Sequence, residues 1–111
     1  MRLWGLKNCD TCRKAMKELR AAGYAVTLVD VRADGIETSD LERFFETFGD
    51  EIVNRRSTTW RGLSDDERAG APVAQILAHP ALMKRPVIEG GEKMTLGWGQ
   101  ETRTLWLDNA G

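Results

Sequence analysis

Two cysteines, Cys9 and Cys12, stand in a Cys-Asp-Thr-Cys run where a short N-terminal strand gives way to a helix. That position is chemical as well as structural. The unpaired N–H groups of a helix's first turn, together with nearby cations, stabilise a thiolate. Arg13 and Lys14 follow at once, and Arg13 adds positive potential one turn on. Cys9 precedes the helix and is the expected nucleophile. Cys12 falls on the apolar stripe of the helix, and the pattern leaves two roles open for it. It either attacks a mixed disulfide on Cys9 or packs as an inert thiol.

Around this pair the polar residues sort by what they offer. Lys7 supplies positive field, Asn8 a loop hydrogen bond, and Thr11 either a helix cap or a donor to sulfur. Arg56 and Arg85 are the candidate anion-holding cations, since a guanidinium makes paired hydrogen bonds to a carboxylate or oxyanion. Arg55, beside Arg56, is equally able to fill that role. Pro86 restricts Arg85 to an extended conformation, and a cis Arg85–Pro86 bond would suit a tight approach to the cysteine loop. His79 is the only histidine, and its place before Pro80 reads as a helix-end cap rather than a general base. Two cysteines and one histidine exclude a four-cysteine zinc site within one chain, and no metal is expected. No phosphate-binding glycine loop is present.

The elements that must position these residues follow from periodicity. Arg2–Leu6 reads as a buried strand. The helix from about Asp10 carries Cys12, Ala15, Met16, Leu19 and Ala22 on one face and stops at Gly23. Tyr24–Val31 reads as a second strand, with Val26, Leu28 and Asp30 on one face, which makes a parallel βαβ opening. Ser39-Asp40-Leu41-Glu42 has the form of a capping box before a helix carrying Leu41, Phe44, Phe45 and Phe48. Residues 55–60 look irregular. Ser64 and Glu67 form a second cap pair, and Pro72 opens a helix with Val73, Ile76 and Leu77. Sheet signals return at Pro86–Glu89, a Gly90-Gly91 turn leads to Lys93–Leu96, and a final helix buries Leu105 and Trp106. The expected fold is α/β and thioredoxin-like, with a mostly helical insertion, residues 34–82, between an N-terminal βαβ and a C-terminal ββα unit, all within a single domain, 1–111.

Composition sets the outer limits. The chain has 111 residues, 41% hydrophobic and 30% charged, with a formal net charge of −1. These are values of a globular protein with no broad basic surface for nucleic acid. No run approaches the roughly 20 apolar residues of a membrane helix, and no cationic leader precedes an apolar run. The expectation is a cytoplasmic protein with neither membrane nor direct nucleic-acid partners.

Four segments together resemble the arsenate reductase (ArsC) family, in particular its Spx/YffB-like branch. They are Trp4–Lys14, Asn54–Trp60, Lys84–Ile88 and Leu96–Trp98, so the likeness spans nearly the whole chain. The resemblance implies a single ArsC/Spx-like domain with Cys9 as the family cysteine and Arg56 and Arg85 near it. It further implies a glutathione-dependent thiol-disulfide reductase, with glutathione as co-substrate and a glutaredoxin-type protein as another reductant. Lys7, Asn8, Thr11, Arg85 and Pro86 are then the expected glutathione contacts. Catalysis falls to Cys9, Cys12, Arg56 and Arg85. Family arsenate reductases surround the oxyanion with three arginines, whereas the stretch Met94–Trp98 here has none, which places arsenate reduction second. The Spx-like alternative is a redox-sensing regulator that binds the RNA polymerase alpha subunit. The Thr58-Thr59-Trp60 run favours the YffB-like branch.

Overall fold

A computed structural model describes residues 1–108. The chain divides into two compact units, Met1–Asp30 with the chain from Arg85 onward, and Val31–Lys84. The first unit holds four strands and two helices, the second a run of short helices.

In the first unit, β1 (Arg2–Gly5) leads into α1 (Asp10–Ala21) and returns through β2 (Thr27–Asp30), which lies parallel to β1. The later strands β3 (Val87–Gly90) and β4 (Lys93–Leu96) form a hairpin, and β3 joins the other edge of β1 antiparallel. The sheet order is β2-β1-β3-β4, and α6 (Gln100–Leu107) closes the unit. This is the thioredoxin-like arrangement expected from the element order.

The period of two on the strands explains the core. Leu3 pairs with Ile88 across β1 and β3, and both are fully buried. They meet Cys12, Ala15 and Leu19 from α1, Val26 beside β2, and Trp98 and Trp106. The α1 stripe falls at helical spacing, so one face of the helix enters the core while its charged residues stay out. Tyr24 packs edge-on against Trp106 and donates a 2.7 Å hydrogen bond to its carbonyl, tying the α1–β2 turn to α6. Gly23 makes that turn possible at φ 99°, a left-handed conformation open to glycine at no steric cost. Trp106 donates to Thr95 Oγ1 at 2.8 Å, which fixes α6 against the hairpin.

The second unit begins with α2 (Thr38–Phe48), followed by a 3-10 turn at Gly49–Ile52 and three short helices, α3 (Thr58–Arg61), α4 (Asp65–Arg68) and α5 (Pro72–Ala78). A further 3-10 turn, Pro80–Leu82, ends it. Leu41, Phe44, Ile52, Ile76 and Leu82 are buried to within 1% of complete. The Ser64–Glu67 capping box forms as expected, and Pro72 occupies the first turn of α5.

Four expectations need correction. Helix α2 starts at Thr38 with Glu37 as its N-cap, so Ser39 lies inside the first turn and caps nothing. Residues 58–61 are helical rather than irregular, because the Ser57 side chain accepts the Trp60 N–H and starts a turn. Phe45 and Leu105 are each 38% exposed and Leu77 is 43% exposed. Each follows a buried residue or precedes one by a single step, and 100° of helical rotation turns it outward. Gly90 ends β3, paired with Lys93, instead of sitting in the turn, and a Cβ there would meet the Met1 side chain and the Trp106 ring. No described helix is long and apolar enough to cross a membrane.

Candidate functional site

Cys9 is the N-cap residue of α1, with extended backbone angles and no side-chain cap bond of its own. The loop that presents it is tied down at both ends. The Lys7 N–H donates to Asp30 Oδ2 at 3.0 Å, at the end of β2, and the Cys9 N–H donates to the Leu6 carbonyl at 3.1 Å. Asp30 is only 6% exposed, so this is a sheltered contact. It explains why the last residue of β2 is acidic, a feature the strand pattern alone does not require.

Burial works against ionisation of Cys9. It is outweighed by the Cys12 backbone N–H, the Cys12 thiol and the Arg85 guanidinium, which donates a hydrogen bond and adds its charge. The net result holds the Cys9 thiol below its ordinary value. Cys12 moves the other way. Burial, with the hydrogen bond and charge of Cys9 added, pushes it up to about 12, against the opposing pull of the Leu6 N–H and Arg85. Ionisation of one thiol is thus favoured, while the other is kept protonated as its donor. Separating two like groups by environment in this way is how an acid and a base are made from one residue type.

Cys12 is 1% exposed, while Cys9 is part-exposed, and the two are free thiols. Gly5 allows Cys12 to sit where it does. A Cβ added at Gly5 would overlap the Cys12 sulfur. Strand β1 therefore needs a glycine at its last position for the thiol pair to close on it.

Of the residues anticipated from sequence, Cys9, Cys12 and Arg85 come together. Arg85 lies immediately before β3, and the Arg85–Pro86 peptide bond is cis. Pro86 is fully buried, and its carbonyl accepts the Gly97 N–H at 2.8 Å. Lys7 and Asn8 occupy the loop before Cys9 with exposed side chains. Thr11 is exposed within the first turn of α1 and does not cap it, because Cys9 already holds that position. Arg13 turns to the Asn8 carbonyl at 3.4 Å and to Asp10 at 3.9 Å, leaving Arg85 as the cation hydrogen-bonded to the thiol. Arg56 belongs to the second unit, where it lines a cavity with Arg55 and Lys84. His79 ends α5 and shares a 2.7 Å hydrogen bond with Glu67. Arg103 donates to Glu18 at 3.0 Å, which joins α6 to α1. Among the described residues no three His, Cys, Asp or Glu side chains gather as a metal site requires.

Sequence reasoning missed Gly5, Asp30 as acceptor for the Lys7 N–H, and Leu6 as donor to Cys12. Only the first left a readable trace, a glycine at the end of an apolar strand.

The model of the ArsC family matches residues 4–104. An uncharacterised protein of Haemophilus influenzae is 36% identical over 104 residues, covering 89% of this chain and 91% of its own length. The solved structure of a protein named YFFB superposes with a TM-score of 0.85 at 32% identity, over 96% of this chain and 97% of that one. An arsenate reductase (ArsC) related protein from Brucella melitensis gives a TM-score of 0.71 at 32% identity, over 95% and 92% of the two chains.

Proposed function

Because the chain belongs to the ArsC family, we propose that it is a glutathione-dependent thiol-disulfide reductase with Cys9 as nucleophile. The observation that carries this reading is the part-exposed Cys9 thiol, lowered by Cys12 and Arg85 against its own burial. Its thiolate attacks one sulfur of a substrate disulfide. A Cys9–substrate disulfide forms, the substrate's own S–S bond breaks, and the leaving thiolate takes a proton from solvent. A glutathione thiolate then attacks Cys9 Sγ and releases the second substrate thiol. A second glutathione attacks the glutathione sulfur, giving oxidised glutathione and restoring the Cys9 thiolate. Two glutathiones supply the two electrons, and one substrate disulfide becomes two thiols.

Cys12 serves as the donor that holds Cys9 ionised. Burial first of all pushes its own value up to about 12, so it stays protonated near neutrality. External glutathione is therefore the resolving thiol. Arg85 holds the Cys9 charge and a substrate or glutathione carboxylate. Lys7, Asn8 and Thr11, exposed on either side of Cys9, are the proposed contacts of the glutathione backbone, while the fully buried Pro86 sets the course of the chain at Arg85. Disulfide chemistry suits the chain better than oxyanion reduction, since Arg103, the arginine that follows the arginine-free Met94–Trp98 stretch, is bonded to Glu18.

Alkylation rate against pH, followed separately at each cysteine by mass spectrometry, tests the preparation of the site. Cys9 is expected to react with an apparent pKa below the free-thiol value of about 8.5, and Cys12 to stay unreactive near neutrality. Arg85→Gln raises the Cys9 value. Cys9→Ser abolishes disulfide reduction, while Cys12→Ser keeps glutathione-dependent turnover. Full turnover in Cys9→Ser would sink the proposal, and loss of turnover in Cys12→Ser would transfer the resolving step to Cys12.

A further inference from the structure

We infer that a cavity between α4 and α5, within the Val31–Lys84 unit, binds a primary ammonium group carried on a short apolar chain. The cavity encloses about 180 Å³, below the roughly 300 Å³ at which pockets begin to hold a drug-sized ligand. It has room for a chain of a few carbons with one polar head. Its wall is apolar at Leu63, Ala74 and Ala78 and acidic at Asp66 and Glu67. No lysine or arginine borders it among the described residues.

Gln75, which also borders the cavity, is the residue that calls for a donor there. It is 6% exposed, and its Nε2 donates to the Glu67 and Arg68 carbonyls, both at 3.0 Å. Those two acceptors fix the orientation of the amide, because an oxygen turned toward them would face two further oxygens. The Oε1 that remains is enclosed and has no hydrogen-bond partner among the described residues. An acceptor kept from water without a donor is unfavourable, and a ligand N–H removes that penalty. Gly70 leaves this wall uncovered, since a Cβ there would lie 3.8 Å from Gln75 Cγ.

The neighbouring carboxylate decides the kind of donor. Glu67 Oε1 accepts the Ser64 N–H and hydroxyl, both at 3.2 Å, and Oε2 meets His79 Nε2 at 2.7 Å. An ionised carboxylate has about four lone-pair sites, so one on Oε2 stays open. The His79 hydrogen bond, then the Ser64 N–H, hold the Glu67 carboxyl below the ordinary carboxylate range, so this wall is negative at neutral pH. An ammonium brings three N–H donors, no acceptor and a positive charge, and so satisfies a bare carbonyl oxygen and a carboxylate together. A hydroxyl brings one donor and no charge, and an anion is repelled by Asp66 and Glu67. The chain behind the ammonium then packs on Leu63, Ala74 and Ala78. A free alkylamine and a lysine side chain share this chemistry. The site uses neither thiol and stands apart from the reduction proposed for Cys9.

The experiment is amide NMR titration with n-butylammonium and two controls. Butan-1-ol keeps the chain without the charge, and butyltrimethylammonium keeps chain and charge without an N–H. Shifts are expected across residues 63–79, with n-butylammonium binding about fivefold or more tighter than either control. The Gln75 side-chain amide protons are read in the same spectra and should move with n-butylammonium but not with butyltrimethylammonium. Glu67→Gln keeps the cap of α4, since glutamine serves at that position. It should weaken n-butylammonium by about fivefold or more and leave butan-1-ol unchanged. Ala74→Leu fills the cavity from an exposed position on α5 and should abolish binding of both. Tighter binding of Nα-acetyl-lysine amide than of n-butylammonium names a lysine side chain as the source, and the reverse names a free amine. Equal or tighter binding of butyltrimethylammonium would reduce the cavity to a general attraction for cations and overturn the site. A Gln75 side-chain amide that stays still, unchanged affinity in Glu67→Gln, or no shifts at millimolar n-butylammonium would overturn it as well.

Discussion

Cys9 and Cys12 are three residues apart, and their thiols are driven in opposite directions, Cys12 upward by burial and then by its contact with Cys9, Cys9 downward by Cys12 and Arg85 against its own burial. Gly5 is the residue on which that contact depends, because a Cβ there would occupy the space of the Cys12 sulfur. Gly5→Ala is therefore expected to destabilise the protein by about 2 kcal/mol through overpacking and to raise the apparent pKa of Cys9 by displacing its donor. Cys12→Ala carries its own cost, but the double variant Gly5→Ala with Cys12→Ala should be more stable than the two losses added together. Denaturant unfolding of the four proteins measures that coupling, and simple additivity would mean that Gly5 does not hold Cys12 in place. The cysteine pair was legible in the sequence because both thiols and the helix start lie within four residues. Gly5 was not, since its role depends on where α1 crosses β1. Arg85 was legible as a cation before a proline, but its hydrogen bond to Cys9 depends on the pairing of β1 with β3, which local pattern does not contain.

The short helices of the Val31–Lys84 unit raise a different question. Helices α3 and α4 have four residues each and α5 has seven, too few to persist by propensity. Side chains that reach the backbone hold them. The Ser64 hydroxyl accepts the Glu67 N–H at 3.2 Å, and the Glu67 carboxylate accepts the Ser64 N–H in return. Gln75, 6% exposed, donates from Nε2 to the Glu67 and Arg68 carbonyls, both at 3.0 Å. Arg68 reaches back to the Trp60 and Arg61 carbonyls of α3. Ser64→Ala should cost about 1 kcal/mol, the worth of a cap. Gln75→Ala should cost more, about 2–3 kcal/mol, because it takes a donor from two carbonyls, of which the Glu67 one keeps the Gly70 N–H, and opens a void. Thermal unfolding of both variants gives the ranking, and an equal or reversed order would show that α4 is held by its cap rather than by Gln75. The cap at Ser64 was readable because the Ser-x-x-Glu pattern coincided with a true helix start. The same pattern at Ser39–Glu42 misled, since a pair three apart also lies side by side within a helix that has already begun.

At the scale of the molecule, the β1-α1-β2 opening and the β3-β4 hairpin were legible because each joins sheet neighbours through one helix or a short turn, whereas the β1–β3 pairing joins strands more distant in sequence. What the pattern did not carry is the environment that fold creates for the thiols, and that environment links stability to pH. The folded-state value of Cys12 is raised from 9.0 to about 12. A raised value stabilises the folded state fully below the unfolded value, and the benefit is lost as pH climbs toward the folded one. Between about pH 9 and 12 the unfolded chain releases a proton that the folded chain keeps. Cys9 has the opposite sign. Its lowered value favours the folded state above the unfolded value, and that contribution is lost as pH falls through the folded one. Working in a Cys9→Ser background removes the second effect, while burial, the first cause of the Cys12 shift, remains. Unfolding free energies of Cys9→Ser, with and without Cys12→Ala, are then compared from pH 8 upward. The stability difference should change by up to about 1.4 kcal/mol per pH unit above pH 9, with the cysteine-bearing protein losing ground. A difference that stays flat to pH 11 would mean that the Cys12 thiol ionises as easily folded as unfolded, and the sheltered donor on which the proposed chemistry of Cys9 depends would not exist.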